Sequence, residues 1–302
     1  MSAIVSCLAC GSAGLKEFAN KAFGGQVFEV RRCRGCGSGF AFPRPTPEQM
    51  EIYYRDRAYA DRTLEQALEV DRSYFPDSRE DAARIIRRCS QFCEGRDFFD
   101  IGAGVGFFSK EAMLHGFRVT AIEPNPNAAA AFREHVGVAP LAAPLSEGIT
   151  WDLGRGVADV VLLSQVLEHL PDVEQAGAVI RDLLRPGGLA AIAVPHFRSV
   201  LSLVQGRRDM YLTPPEHLNY FTIRGLTRFF VRCGFKPVFT ETVTKVPKDR
   251  LWYASGSVRG KQFAWKTAYH ILHACDHFRG GMVINAYFRR PSAVGDQVVR
   301  YV

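Results

Sequence analysis

Apolar and polar positions change rhythm along the 302 residues of this chain. Beyond residue 96, short apolar runs alternate with stretches whose apolar residues recur every three or four positions. The runs at 97–101, 117–122, Ala158–Leu163 and Leu189–Val194 predict strands, with a weaker one at 138–142. The stretches at 106–115, Asn125–His135 and the segment ending before Pro186-Gly-Gly188 predict helices. A helix over 222–233 and a strand over 235–243 follow, and Asp81–Cys93 reads as an amphipathic helix in front. Strands alternating with helices predict an α/β fold, its parallel sheet covered on both faces. Ligands in such sheets sit at the carboxyl ends of the strands.

The flanks follow a different pattern. Residues 1–43 carry two cysteine knuckles around a short strand near Gln26–Arg31, and Pro43-Arg-Pro-Thr-Pro47 is a stiff break. Glu48–Tyr59 is helix-like, with Tyr53, Tyr54 and Tyr59 clustered. Residues 197–221 form a connection of a length usually used to cover a site or bind substrate. Phe263–Phe278 is apolar at near-helical spacing, most simply a helix of the domain. The expected division is a ribbon at 1–45, a linker and lid helix at 46–80, a ligand-binding domain at 81–245 with a substrate loop at 197–221, and a C-terminal extension at 246–302.

The most specific chemistry lies where the first strand of the alternating region ends. Asp100-Ile-Gly102-Ala-Gly104-Val-Gly106 leads into an apolar helix, and the next strand ends at Glu123. Glycines let backbone approach a nucleoside, and an acid at the neighbouring strand tip accepts hydrogen bonds from ribose hydroxyls. A dinucleotide site spaces its glycines G-x-G-x-x-G to seat a pyrophosphate on the helix N-terminus. Here the third glycine comes one residue early and Asp100 precedes the first. Asp100 repels phosphate and suits an ammonium group, as in S-adenosylmethionine (SAM), which carries a sulfonium and no phosphate.

Cys7-x-x-Cys10-Gly and Cys33-x-x-Cys36-Gly supply four thiolates, enough for tetrahedral Zn²⁺ with no open position, a structural site. Two disulfides are the competing reading, disfavoured for a cytosolic chain. Composition is globular, with 47% hydrophobic and 23% charged residues. No apolar run approaches ~18 residues, so no membrane span is expected. No secretory signal pattern is present, and the expected compartment is the cytoplasm. The formal charge is +7, and residues 245–302 carry the whole excess. Such a tail suits RNA, acidic lipid or a nucleotide-linked substrate, or else is a solvated surface.

The D-x-G-x-G-x-G turn, the acid after the second strand and Ser164-Gln-Val-Leu-Glu-His-Leu-Pro-Asp172 together resemble the class I SAM-dependent methyltransferases, over roughly residues 80–245. The resemblance implies a Rossmann-like, seven-stranded, mostly parallel sheet, here with an N-terminal zinc ribbon. It implies that Asp100, Gly102, Gly104 and Gly106 hold the methionine part of SAM and Glu123 the ribose. Phe107, Pro124, Ser164 and Gln165 complete the expected cofactor wall.

SAM is intrinsically electrophilic, so the protein's work is to align the acceptor and remove a proton. Two Glu-His pairs suit this, Glu168-His169 and Glu216-His217. The segment Glu216-His-x-x-Tyr220-Phe-Thr resembles one in zinc-containing sugar C-methyltransferases, where an acid and a histidine manage protons next to a keto group. Those relatives have a further C-terminal domain, and this chain departs from them after residue 243. Gln165-x-x-Glu168-His169 resembles the E-x-x-E-H segment that binds a divalent metal in small-RNA 2′-O-methyltransferases and some quinone O-methyltransferases. Glutamine replaces the first acid here, which weakens a metal. His217, Glu216 and His169 are therefore the catalytic candidates. Tyr54, Tyr59, Arg207, Tyr211 and Tyr220 are the substrate-side candidates, and Cys7, Cys10, Cys33 and Cys36 the metal ligands. The expected function is methylation of an oxygen or carbon on a small molecule, sugar or nucleotide sugar. An RNA methyltransferase docking RNA through ribbon and tail is the alternative, and a non-enzymatic SAM-binding scaffold the third reading.

Overall fold

Val160 and Leu162 point to one face of a central strand while Val161 and Leu163 point to the other, and all four are fully buried. A strand apolar on both faces belongs in the middle of a covered sheet. In a computed structural model of the protein it does. The structure describes residues 6–46, 48–50, 52–53, 64–66, 68, 78–145, 147–245, 267 and 269–292.

The strands are β1 (Leu15–Phe23), β2 (Gln26–Cys33), β3 (Gly39–Phe42), β4 (Asp97–Ile101), β5 (Arg118–Ile122), β6 (Ala158–Ser164), β7 (Leu184–Pro195), β8 (Asn219–Tyr220), β9 (Lys236–Val243) and β10 (Val283–Arg289). The helices are α1 (Ser78–Phe92), α2 (Phe107–Leu114), α3 (Pro126–Val136), α4 (Glu147–Leu153), α5 (Val173–Leu183), α6 (Val200–Gln205) and α7 (Ile223–Arg232). The central sheet has six strands in the order β5-β4-β6-β7-β10-β9. All run one way except β10, which is antiparallel to both neighbours. One core layer packs α5 and α7 against the sheet through Ile180, Leu183, Phe229 and Phe230, where Phe230 stacks on Phe288 of β10 at 4.3 Å. The other packs α1 and α2 through Ile85, Ile86 and Ala112. Local signals set the helix starts. Asn125 caps α3 by accepting from the N–H groups of Asn127 and Ala128, and Asp172 and Thr222 cap α5 and α7.

Three expectations need correcting. The sheet has six strands, because the seventh, expected near 138–142, is reduced to a single parallel bridge from Leu141 to Ile122. Leu141 is 40% exposed, and Pro140 beside it has no N–H with which to extend a ladder. The region after 246 is not simply an extension, since β10 fills the slot between β7 and β9. Its residues Val283, Ile284, Ala286, Tyr287 and Phe288 are buried. Phe278, the last residue of the helix expected over Phe263–Phe278, is 87% exposed on a short 3₁₀ turn, Cys275–Phe278.

The cysteine ribbon forms a second sheet, β1-β2-β3-β8, whose last strand comes from the 197–221 connection. β3 pairs with β8 through Gly39↔Tyr220 and Phe40↔Asn219. Just after β3, the Arg44 guanidinium donates to the carbonyls of Leu170, Pro171 and Leu218 and to Asn219 Oδ1, at 2.7–3.1 Å. Asn219 Nδ2 in turn donates to Leu167 O and Leu170 O. At the other end of the ribbon, Thr222 Oγ1 donates to Cys36 O, Thr222 N–H donates to Ser38 Oγ, and Arg232 of α7 donates to the carbonyls of Leu8 and Ala9.

Arg44→Met keeps the packing stem, strands Pro171 O and Asn219 Oδ1, and leaves Leu170 O and Leu218 O with one donor each, from Asn219 Nδ2 and Ala41 N–H. It is expected to lower unfolding stability by about 3 kcal/mol, read from urea denaturation, because carbonyls that lose a charged donor in a partly dry site keep the desolvation penalty.

Candidate functional site

The carboxyl ends of β4, β5 and β6 carry the candidate residues. Asp100 is 1% exposed, and its Oδ2 accepts from Ser109 Oγ at 2.6 Å. Burial pushes its carboxyl up to about 6. Glu123 closes β5, and its two oxygens accept from Gly104 N–H and Asn125 N–H, both at 2.8 Å. Burial raises it as well. A carboxylate offers about four lone-pair positions, so two remain for other donors.

The turn glycines divide into two kinds. A Cβ on Gly102 would lie 2.5 Å from Val166 Cγ2, so the loop there packs against the segment after β6. A Cβ on Gly104 would meet nothing within 4 Å, so that side of the turn is open. Gly106 caps α2 in the left-handed region with φ 87°. The Phe107 ring packs against His135 of α3, 5.2 Å between centroids, which leaves its backbone for the turn. Pro124 is exposed, Ser164 is half-buried at the end of β6, and Gln165 takes φ 57° with its Nε2 buried and without a hydrogen-bond partner.

A second cluster lies just beyond β6. Glu168 is 1% exposed, and neither carboxylate oxygen has a hydrogen-bond partner. His169 and His217 face each other with ring centroids 4.8 Å apart. His169 Nδ1 lies 2.7 Å from Glu216 O and His217 Nδ1 lies 3.0 Å from Tyr211 O. A carbonyl can only accept, so both rings carry hydrogen on Nδ1, and the other nitrogen of His169 lies 3.9 Å from Glu168 Oε1. Ligand atoms of Glu168, His169 and His217 all lie within 4.8 Å of one another. Burial moves the three groups in opposite senses, Glu168 up to about 8, His169 down to about 4 and His217 down to about 3. All three therefore favour their neutral forms at neutral pH.

The 197–221 connection delivers this cluster. Leu218 N–H and Asn219 N–H both donate to Glu168 O, at 2.8 and 3.0 Å. Glu216 contributes its carbonyl to His169. Tyr211 stacks on His217 at 6.0 Å and 22°. Tyr220, expected on the substrate side, is 4% exposed and donates its hydroxyl to His217 O, so it positions the histidine. Arg207 is exposed on a 3₁₀ turn, Gly206–Arg208. Tyr54 and Tyr59 lie outside the described residues. The support given by Asn219 and Arg44 escapes sequence reasoning, since each acts through hydrogen bonds to backbone far away in the chain.

At the ribbon, Cys7 and Cys36 Sγ lie 3.6 Å apart, as do Cys10 and Cys33 Sγ. A disulfide needs about 2.05 Å. Thiolates around zinc at ~2.3 Å stand ~3.8 Å apart along a tetrahedron's edges. Cys10 N–H and Gly35 N–H point at the sulfurs of Cys7 and Cys33, stabilising negative charge there. The four sulfurs fit a tetrahedral thiophilic cation.

A family model described as a methyltransferase domain matches residues 74–239, more than half of the chain. The chain belongs to this methyltransferase family. An uncharacterized methyltransferase from Mycobacterium ulcerans is 35% identical over 100 residues, which is 33% of this chain and 39% of that protein. The chain thus spans about two fifths of the length of the curated relatives it matches. A SAM-dependent methyltransferase from Archaeoglobus fulgidus superposes with TM-score 0.52 and 18% identity, over 74% of this chain and 98% of that one. The 1,6-didemethyltoxoflavin-N1-methyltransferase of Burkholderia thailandensis, solved with its substrate and S-adenosylhomocysteine, gives 0.51 and 18% over 91% and 100%. The chain thus carries a methyltransferase domain, and its fold is that of the SAM-dependent methyltransferases it superposes on. No described helix of this methyltransferase is long and apolar enough to cross a membrane.

The glycines of the methyltransferase turn are expected to differ in cost. Both Gly102→Ala and Gly104→Ala place a side chain at positive φ, roughly 1–2 kcal/mol of strain. Only Gly102→Ala also collides with Val166, so it is expected to lower the urea midpoint clearly more than Gly104→Ala does.

Proposed function

We propose that this methyltransferase moves the SAM methyl group to an oxygen or carbon of a small molecule or sugar, with the acceptor held beside His169 and His217. The observation that carries this reading is the pair of neutral imidazoles fixed by backbone carbonyls at the end of β6. Val166 links them to the glycine turn, because it touches Gly102 and stands two residues before Glu168. His217, with Nδ1 already donating to Tyr211 O, has only Nε2 left to take a proton. The acceptor's proton goes to that nitrogen as the acceptor's electron pair attacks the methyl carbon and the C–S electrons return to sulfur. Glu216 orients His169 through its carbonyl, and Tyr220 and Tyr211 hold His217. The small-molecule methylation named for the Burkholderia neighbour agrees in class.

On the donor side, Asp100 and the open face of Gly104 receive the methionine part, and Glu123 receives ribose hydroxyls with its remaining lone pairs. Pro124, Ser164, Gln165 and the Phe107 backbone line the same edge. The four cysteines hold Zn²⁺ as a structural ion. A second reading of the histidine cluster is a divalent cation on Glu168, His169 and His217. It is favoured by two orphaned carboxylate oxygens beside two imidazoles whose Nδ1 atoms are fixed on carbonyls, an arrangement that suits a cation. Such a cation would polarise an acceptor oxygen.

SAM affinity is expected to fall as pH drops below about 6. Asp100 then holds a proton, and a cationic amino acid group must expel it to bind. Asp100→Asn should weaken SAM about tenfold and flatten this pH dependence, read by calorimetry. Unchanged affinity in both Asp100→Asn and Glu123→Ala would remove the cofactor assignment.

Elemental analysis is expected to find about one zinc per chain, lost in Cys33→Ser and retained in Glu168→Gln. Titration with Mn²⁺ followed by electron paramagnetic resonance separates the two readings of the histidines. A site lost in Glu168→Gln supports the cation, and no bound Mn²⁺ leaves the imidazoles as bases.

A further inference from the structure

A cavity of about 410 Å³ opens between the second cysteine knuckle, β1 and the start of α7. Five cationic side chains line it, Lys16, Arg32, Arg34, Arg198 and Arg224, against one carboxylate, Glu17. Arg32 lies over the Phe18 ring at 5.2 Å. Among the described residues none of the five makes an ion pair, and all five are exposed. A solvated basic surface usually mixes in acids or spreads out, whereas this one converges on a concavity.

Two further features point the same way. Ile223 and Arg224, the first two residues of α7, line the cavity. The first N–H groups of a helix have no intrahelical acceptor; Thr222 Oγ1 takes that of Gly225, and no acidic residue in the first turn of the ten-residue α7 meets those of Ile223 and Arg224. The cysteine site is the nearest counter-charge. Four thiolates around Zn²⁺ leave two negative charges, which with Glu17 still fall two short of the five cations. The sulfurs also take their hydrogen bonds from Cys10 N–H and Gly35 N–H, not from these side chains. SAM carries no phosphate, so the methyl donor does not account for the cavity either.

We infer that this cavity binds the phosphoryl or diphosphoryl group of a small molecule, clamped by Arg34, Arg198 and Arg224 and by the N-terminal amides of α7. Guanidinium forks match phosphate oxygens two at a time. A helix start adds oriented N–H donors. The volume falls in the range of small-ligand sites and suits a compact anion. The site is also in contact with the histidine cluster through one aromatic layer. Arg198 follows Phe197, whose ring packs on Tyr220 at 5.4 Å, and Tyr220 donates to His217 O.

The test is calorimetry on the zinc-loaded full chain with pyrophosphate and with ADP, at about 0.1 M salt to suppress long-range attraction. Saturable binding is expected, weakened at least about tenfold by Arg198→Gln/Arg224→Gln and unchanged by Arg207→Gln, whose charge lies outside the cavity. Both cavity side chains are exposed, and circular dichroism with S-adenosylhomocysteine binding on the same samples checks that the fold persists. Absence of saturable binding to either anion overturns the inference, as does binding that ignores the double variant. A single-stranded RNA that binds through these arginines while pyrophosphate and ADP do not would also overturn it, and would make the surface a nucleic-acid contact. The readout is anion binding, so its failure leaves the methyl-transfer reading standing.

Discussion

Two residue pairs, Gly39↔Tyr220 and Phe40↔Asn219, join the cysteine ribbon to the methyltransferase core, and the geometry of the histidines depends on them. A Cβ on Gly39 would lie 2.9 Å from the Phe197 ring, so the strands can meet only because that position is bare. β8 is two residues long and could not hold a register by itself. Arg44 and Asn219 hold it, by filling the carbonyls of Leu167, Leu170, Pro171 and Leu218. With β8 fixed, Tyr220 presents its hydroxyl to His217 O and the imidazole is brought within 4.8 Å of His169. The ribbon is therefore a wall of the histidine cluster. The four cysteines and the histidines are mechanically linked through Cys36, Ser38 and Thr222.

The two halves of the site use burial differently. At the ends of β4 and β5 the acids retain hydrogen bonds, from Ser109 to Asp100 and from Gly104 and Asn125 to Glu123. They are held in place before any ligand arrives. At the end of β6 the carboxylate of Glu168 is left without donors and the imidazoles are kept neutral by the same desolvation. The first arrangement is preorganised for a cation that brings its own charge. The second holds its groups neutral, and the Glu168 carboxyl changes state by giving up its proton.

The parts of the fold set by local chemistry were legible in the sequence. Spacing of apolar residues located β4 at the predicted residues and placed α1, α2, α3 and β9 within a few residues. The glycine turn and the paired knuckles were visible because each needs particular residue types at fixed separations. What stayed hidden was set by distant partners. β10 is apolar like its neighbours, and only the vacant slot between β7 and β9 determines its place. β1 has exposed and half-buried positions along most of its length, so its pattern is weak, and β2 fixes it by pairing. Tyr220 was read as facing substrate because its segment, Glu216-His-x-x-Tyr220-Phe-Thr, resembles one in zinc-containing sugar C-methyltransferases. Its direction depends on which face of a two-residue strand turns toward Phe197.

Burial without compensation is costly, and a chain that needed only stability could replace such groups with apolar ones. Glu168 could be Gln or Leu without losing a hydrogen bond from its side chain, because it makes none. Its backbone carbonyl, by contrast, carries the junction to Leu218 and Asn219. The stability of this corner therefore rests on the main chain, and the side chains above it are released from structural duty. That separation lets an orphaned carboxylate and two neutral imidazoles share a dry corner beside the glycine turn. The fold around them is held by Arg44, Asn219 and the ribbon.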